Sequence, residues 1–247
     1  MTNSIAEYMR ADWPSPANVC AVVSTRRGGV SRAPYDSFNL ATHVGDDASA
    51  VLQNRSILKA SLNLPAEPLW LEQVHGIAVV DAARSAVDSC ADAAYTTEKN
   101  KVCVVMTADC LPVLMCNRAG NKVAAVHAGW RGLYAGVIEA AIQTLNEKPD
   151  NILVWLGPAI GPAAFEVGDE VRTVFVNDLP QAEAAFSVSK PGHWLADIYQ
   201  LARLRLARIG VQQVYGGGLC TYTDHEKFYS YRRDGKTGRM ASLIWME

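Results

Sequence analysis

The sequence is short of histidine, with five in 247 residues, and its six cysteines, at 20, 90, 103, 110, 116 and 220, include no Cys-x-x-Cys pair. A disulfide scaffold carries cysteine at far higher density in a shorter chain, and structural zinc is marked by closely paired ligands, so neither reading applies. An excess of one charge is also missing: 23 basic residues stand against 25 acidic ones, for a net charge of −2. That balance argues against a polyelectrolyte binder of nucleic acid and against a disordered acidic tail. No apolar run approaches the ~18–20 residues of a membrane span. The start, MTNSIAEYMRADWPSPAN, has acids and prolines where a signal peptide has a basic patch and an apolar run. GxxxxGK[ST] and GxGxxG are absent, which disfavours a P-loop nucleotidase or a Rossmann dehydrogenase. Low-complexity segments, repeats and linkers are missing too. We expect a cytoplasmic enzyme with reduced thiols, with no nucleic-acid or membrane partner, built as one domain over 1–247.

What is present is apolar: 49% of the residues, enough for a core without staples. Val19–Val23, Val102–Met106, Pro112–Cys116, Val123–His127 and Ile152–Leu156 are short β-branched or aliphatic runs, expected as buried strands. Asp46 or Asp47 caps an expected helix to about Leu62. Leu133–Leu145, Glu166–Val176 and Trp194–Ile209 carry the helical period, with Gly210 placed as a cap. The stretch Lys227–Met246 is expected to form a hairpin around its Gly-rich turn. Strands outnumber helices and are often adjacent in sequence, which favours an α+β layered fold. The long Gly-, Ser- and Asp-rich region at about 25–48 is expected to be functional, because idle loops are rarely that long.

The chemistry concentrates in Thr107-Ala-Asp-Cys110 and Val126-His-Ala-Gly-Trp-Arg-Gly132. A hairpin turn over Asn117–Asn121 would set Cys116 opposite Lys122 and Leu111 opposite His127. Cys110 and His127 would then meet at one edge of the ladder, each at a strand end. A thiolate beside an imidazole serves either as a nucleophile pair or as two ligands of zinc or copper. His75, in Gln73-Val-His-Gly76, supplies a third ligand and leaves the fourth position of a catalytic metal open. Cys20, Cys90, Cys103 and Cys116 sit in apolar contexts and are assigned to packing. His43 is assigned to loop hydrogen bonding, and His193 and His225 to the surface. Ser24-Thr-Arg-Arg-Gly-Gly-Val-Ser31 offers Arg26 beside the Gly28 and Gly29 amides, a combination suited to phosphate. Arg131, just before the expected helix, would meet an anion at its N-terminus. Gly157-Pro-Ala-Ile-Gly-Pro162 reads as a structural turn. Arg232 and Arg233 are either a solvated pair or part of the same site.

The Gln73–Gly76, Thr107–Cys110, Val126–Gly132 and Gly157–Pro162 motifs, with Tyr231-Arg-Arg-Asp-Gly, resemble the bacterial laccase-domain proteins in this order and spacing. That family is also called multicopper polyphenol oxidase or YfiH-like, and the resemblance runs from about Trp13 to Trp245. It implies a single α/β/β/α layered domain related to the cytotoxic-necrotizing-factor cysteine hydrolases, with His75, Cys110 and His127 as metal ligands. It also implies either copper-dependent phenol oxidation or zinc-dependent purine nucleoside chemistry: phosphorolysis of adenosine, inosine, guanosine and methylthioadenosine, and deamination of adenosine. A cell-wall precursor is a further implied ligand. Oxygen-reducing copper clusters need many imidazoles, and five histidines fall short of that. The favoured reading is therefore a zinc enzyme acting on purine nucleosides and phosphate. Cys110, His127 and Asp109 are its catalytic candidates, and Arg26, Gly28, Gly29 and Arg131 hold the phosphate. A copper polyphenol oxidase, and a Cys110–His127 hydrolase or cell-wall precursor editing factor, are the alternatives.

Overall fold

The chain is described by a computed structural model covering residues 6–247, so residues 1–5 of the 1–247 domain expectation lie outside the described residues. In chain order the strands are β1 (Tyr8–Arg10), β2 (Val19–Ser24), β3 (Leu71–Glu72), β4 (Val79–Asp81), β5 (Ser89–Cys90), β6 (Ala93–Thr96), β7 (Val102–Thr107), β8 (Leu111–Asn117), β9 (Val123–Ala128), β10 (Ile152–Leu156), β11 (Glu166–Gly168), β12 (Phe186–Lys190), β13 (His193–Ala196), β14 (Gln213–Gly216) and β15 (Met240–Met246). The helices are α1 (Ala48–Ser61), α2 (Trp130–Ala135), α3 (Val137–Leu145), α4 (Asp169–Asp178), α5 (Ile198–Arg208) and α6 (Tyr231–Asp234).

Neighbouring residues of the central strands point to opposite faces, and both faces are apolar because both are covered. Val23, Val105 and Ile244 of the sheet ordered β1-β2-β15-β7 pack on Leu114, Ala125 and Trp155 of the sheet ordered β14-β10-β8-β9-β6-β4. Their sequence neighbours face outward. Val22, Val104 and Leu243 meet Leu58 of α1, with Phe38 and Trp70. Val113, Val126 and Val154 meet Ile138 of α3 and Leu201 of α5. The result is the expected α/β/β/α layering. Each buried aliphatic side chain contributes about 1.5–3 kcal/mol relative to exposure, so the doubly covered strands hold the frame on which the site is mounted.

Several local expectations are corrected. The helix expected over 133–145 is two helices, because Gly136 adopts φ +101°, capping α2 at its end and opening α3. The segments expected as helices from Glu166 and Trp194 begin instead as β11 and β13 of a small third sheet. Helix α5 starts only where the Asp197 side chain accepts the Tyr199 and Gln200 amides. An apolar period over so few residues does not separate a short strand from a first helical turn. The hairpin expected over 227–246 is absent: β15 pairs with β2 and β7, both distant in sequence, and 231–234 forms the single turn α6 capped by Ser230.

The β8–β9 register is shifted by one residue, with Cys116 opposite Val123 and Pro112 opposite His127. The cause is the Asn117 side chain, whose oxygen accepts the Asn121 and Lys122 amides and draws Lys122 into a turn one residue longer than expected. His127 therefore lies inside β9, while Cys110 precedes β8. Cys103 and Cys116 are buried as expected, Cys20 is half-buried, and Cys90 is exposed, correcting its assignment to packing. Among the described residues no helix is long and apolar enough to cross a membrane.

Candidate functional site

Asp92, a residue that no motif signalled, organises the site. It immediately precedes β6, whose Ala93 pairs with Val126 of β9, so Asp92 lies alongside His127. Its carboxylate accepts Nδ1–H of His127 at 2.8 Å, and it also accepts the backbone amides of Val74, His75 and Gly76 at 3.3, 2.9 and 2.6 Å. One fully buried acid thus fixes the ring of one candidate ligand and the backbone of another. Burial works against its charge, but the bonds from His127 and from the Gly76 and His75 amides outweigh that and hold its carboxyl below the ordinary value. Gln73 completes the loop: its side chain donates to Met106 O at 2.8 Å and accepts Met106 N–H at 2.7 Å, tying His75 to the end of β7. Held in this way, His75 keeps φ +61°, and Asp109, beside Cys110, keeps φ +92°. Non-glycine residues occupy that region mainly where the surroundings enforce it, as at ligand sites.

The ligand atoms of His75, Cys110 and His127 all lie within 4.8 Å of one another, and Cys110 Sγ is 3.8 Å from His75 Nε2. Tetrahedral zinc, with Zn–S near 2.3 Å and Zn–N near 2.0–2.1 Å, asks for an S···N separation of about 3.6 Å. Because Nδ1 of His127 donates to Asp92, Nε2 is left to bind, which is the usual carboxylate–histidine–metal arrangement. This group can hold a metal. Burial raises the Cys110 thiol, but the neighbouring His127 and His75 overcome it and bring it down to about 6. Burial lowers His127, but Cys110 and Asp92 outweigh it and push it up to about 9. Both shifts favour the thiolate–imidazolium form of the pair, and a metal would replace the shared proton.

Gly129 shows how closely the cradle fits. A Cβ there would stand 2.8 Å from His75 Cδ2 and 3.1 Å from Cys110 Sγ. Gly129→Ala is expected to weaken zinc binding by about tenfold or more, read by chelator competition. Unchanged affinity would mean that the three side chains do not converge on one ion.

The three side chains form one wall of a cavity of about 570 Å³, within the usual range for small-molecule sites. Asp109 and Arg131 also line it. Asp109 is engaged elsewhere: its two oxygens accept the Thr221 hydroxyl and the Arg232 amide, both at 2.6 Å, so it positions α6. The Arg26 loop does not reach the cavity, which corrects the expected phosphate site. Arg26 pairs with Asp36, donates to His225 O at 3.1 Å and lies 4.9 Å from the Tyr229 ring centroid. The Gly29 amide donates to Ser37 Oγ at 3.1 Å, and a Cβ on Gly29 would meet Ser37 O at 2.3 Å. Gly29 serves close backbone packing, and Gly28 sits at φ +91°.

The cavity gains instead His43, Arg232 and Arg239. The sequence places His43 in loop hydrogen bonding, leaves Arg232 open between surface and site, and carries no signal for Arg239. Arg233 turns away and donates to the Thr221, Tyr222 and Phe228 carbonyls. Cys220 accepts the Gly161 amide at 3.2 Å and is not part of the lining.

Residues 20–247 match the family described as multi-copper polyphenol oxidoreductase laccase. The chain is 57% identical to a protein of Escherichia coli K12 named purine nucleoside phosphorylase YfiH, with 95% of this chain and 96% of that one covered. It is 54% identical to a purine nucleoside phosphorylase of Pseudomonas aeruginosa, with 97% and 98% covered. A solved structure of Neisseria meningitidis protein NMB0706 superposes with a TM-score of 0.94 at 50% identity, covering 97% of this chain and 99% of that one. YlmD of Geobacillus stearothermophilus superposes with a TM-score of 0.91 at 30% identity, covering 99% of each chain. The chain therefore belongs to the multi-copper polyphenol oxidoreductase laccase family.

Proposed function

We propose that this chain is a zinc-dependent purine nucleoside phosphorylase, acting on adenosine, inosine, guanosine and methylthioadenosine, and that it also deaminates adenosine. It would work as one domain over 1–247 in the cytoplasm. One observation carries the reading: His75, Cys110 and His127 converge at the wall of a cavity that also holds unpaired arginines, so a metal-activated centre faces a binding place for an anion. The names of the relatives in Escherichia coli and Pseudomonas aeruginosa support it.

Phosphorolysis requires an oxygen of hydrogenphosphate to bond to C1′ as the C1′–N9 bond breaks. The bonding pair moves to N9, and the departing purine takes the proton that hydrogenphosphate brought. Deamination requires water to add at C6 and ammonia to leave. Zinc, when bound, supplies a Lewis acid that polarises an oxygen at its open position. Asp92 keeps the His127 ring oriented and His75 in its turn, so the three side chains that would hold the metal stay at the cavity wall. Among the described residues one group of three metal-capable side chains is found, and an oxygen-reducing copper cluster needs more, so zinc is favoured over copper.

Incubating the zinc-loaded protein with inosine, with and without phosphate, is expected to release hypoxanthine only when phosphate is present. Release that ignores phosphate would sink the phosphorylase reading. Adenosine without phosphate is expected to yield inosine.

A second reading is favoured by the order Asp92–His127–Cys110, which is orienter, base and nucleophile. In it Cys110 attacks a muropeptide-like cell-wall precursor. Full activity in protein holding no metal would favour this hydrolase, whereas activity that follows about one zinc per chain favours the phosphorylase.

A further inference from the structure

Arg232 and Arg239 line the cavity beside the three candidate ligands, and neither takes part in an ion pair among the described residues. By contrast, Arg205, packed under α3, is bound by both Glu139 and Asp178 at 2.6 Å. Each cavity arginine is tethered on one side only. Nη1 of Arg232 donates to Glu166 O at 2.8 Å, and Nη1 of Arg239 donates to Thr237 O at 2.9 Å and Gly238 O at 3.0 Å. The rest of each guanidinium fork has no protein acceptor among the described residues. Arg239 is half-buried. A desolvated cation without a carboxylate is costly for the free protein, and the cost is removed only when an anion arrives.

Thr107 adds an independent sign. It pairs with Met240 across β7 and β15, next to Arg239, and it lines the same cavity. It is 2% exposed, and its hydroxyl has no hydrogen-bond partner among the described residues. Asp109, the acid of this wall, does not oppose an anion with free oxygens, since both accept bonds from Thr221 and Arg232.

We propose that Arg232 and Arg239, with the Thr107 hydroxyl, form a subsite for a phosphate-class oxyanion next to the candidate metal centre. The inference rests on the phosphorylase reading for its role and replaces the Arg26 loop as the place where phosphate is held. The oxyanion is either free phosphate, the attacking reagent, or a phosphate ester carried on a nucleoside. Arginine suits both, because its planar fork meets two oxygens at once and stays charged at every working pH.

The test uses zinc-loaded protein and two probes, inorganic phosphate and inosine 5′-monophosphate. Arg239→Gln is expected to raise the KM for phosphate about 10- to 100-fold, as loss of charge-assisted hydrogen bonds predicts, while the KM for inosine stays within about twofold. Calorimetric binding of inorganic phosphate should fall by the same factor. Arg239→Lys should recover only part of it, because it keeps charge but not the fork. Arg232→Gln, at an exposed residue, repeats the test without disturbing packing. Inosine 5′-monophosphate that competes with phosphate, and stops competing in Arg239→Gln, assigns the ester to the same subsite. If it does not compete, the subsite is for free phosphate. An unchanged phosphate KM and unchanged calorimetric affinity in both arginine variants overturn the subsite. If wild-type protein binds phosphate through Arg239 but cleaves no nucleoside, the subsite stands and the phosphorylase reading fails.

Discussion

Cys110→Ser removes both zinc and turnover: hypoxanthine release is expected to fall by about 1000-fold, a loss of roughly 4 kcal/mol of transition-state stabilisation. Serine is close in size but is no soft thiolate at neutral pH, so the change tests chemistry rather than packing. The thiol stands 3.8 Å from His75 Nε2 and is brought down to about 6 despite its burial, a condition suited to a bound cation. The measurement is metal content per chain together with initial rates. Loss of zinc with retained phosphorolysis would falsify the metal-dependent reading. Retained zinc with lost activity would instead favour the nucleophile role.

Asp92→Asn is expected to weaken zinc binding by about 10- to 100-fold, the usual effect of losing the carboxylate that orients a ligating histidine. It should also destabilise the apo protein by about 3–5 kcal/mol, because a buried hub of charge-assisted hydrogen bonds is broken. The native carboxylate receives donors only, from His127, Val74, His75 and Gly76. An amide can turn only one oxygen to them, and its NH2 group then faces backbone N–H groups that cannot accept. Denaturant titration reads the stability term, and chelator competition reads the metal term. If both stay at wild-type values, Asp92 does not support the site.

His75, Cys110 and His127 were readable in order because each lies beside a glycine-containing or strand-ending motif, and because so few histidines competed for the role. The buried strands are legible because aliphatic runs without polar alternation require cover on both faces, while the α/β/β/α order is implied by the family resemblance. Other features were hidden for identifiable reasons. Asp92 sits in Ala91-Asp-Ala-Ala94, a context that gives an acid no local task, and acquires one only because β6 pairs with β9. The Arg26 loop looked like an anion nest because glycine beside arginine is ambiguous. Its Gly29 is there for close packing against Ser37 and Asn54, and its Gly28 for a positive φ. Arg239 belongs by sequence pattern to an expected hairpin and reaches the cavity because β15 inserts between β2 and β7.

By itself the sequence determined the residue types and the local geometry: a thiol and two imidazoles at strand ends and turns, glycines where a side chain would collide, and strands that must be buried twice. Only the tertiary structure decided which charges share a cavity. Position along a chain says nothing about distance across a sheet: Asp92 meets His127 because β6 pairs with β9, and Thr107 comes beside Arg239 because β7 pairs with β15. Among the described residues the same structure leaves Arg232 and Arg239 without carboxylates while giving Arg26 and Arg205 theirs. Charge pairing in three dimensions, rather than the count of 23 basic and 25 acidic residues, marks where an anion can be held.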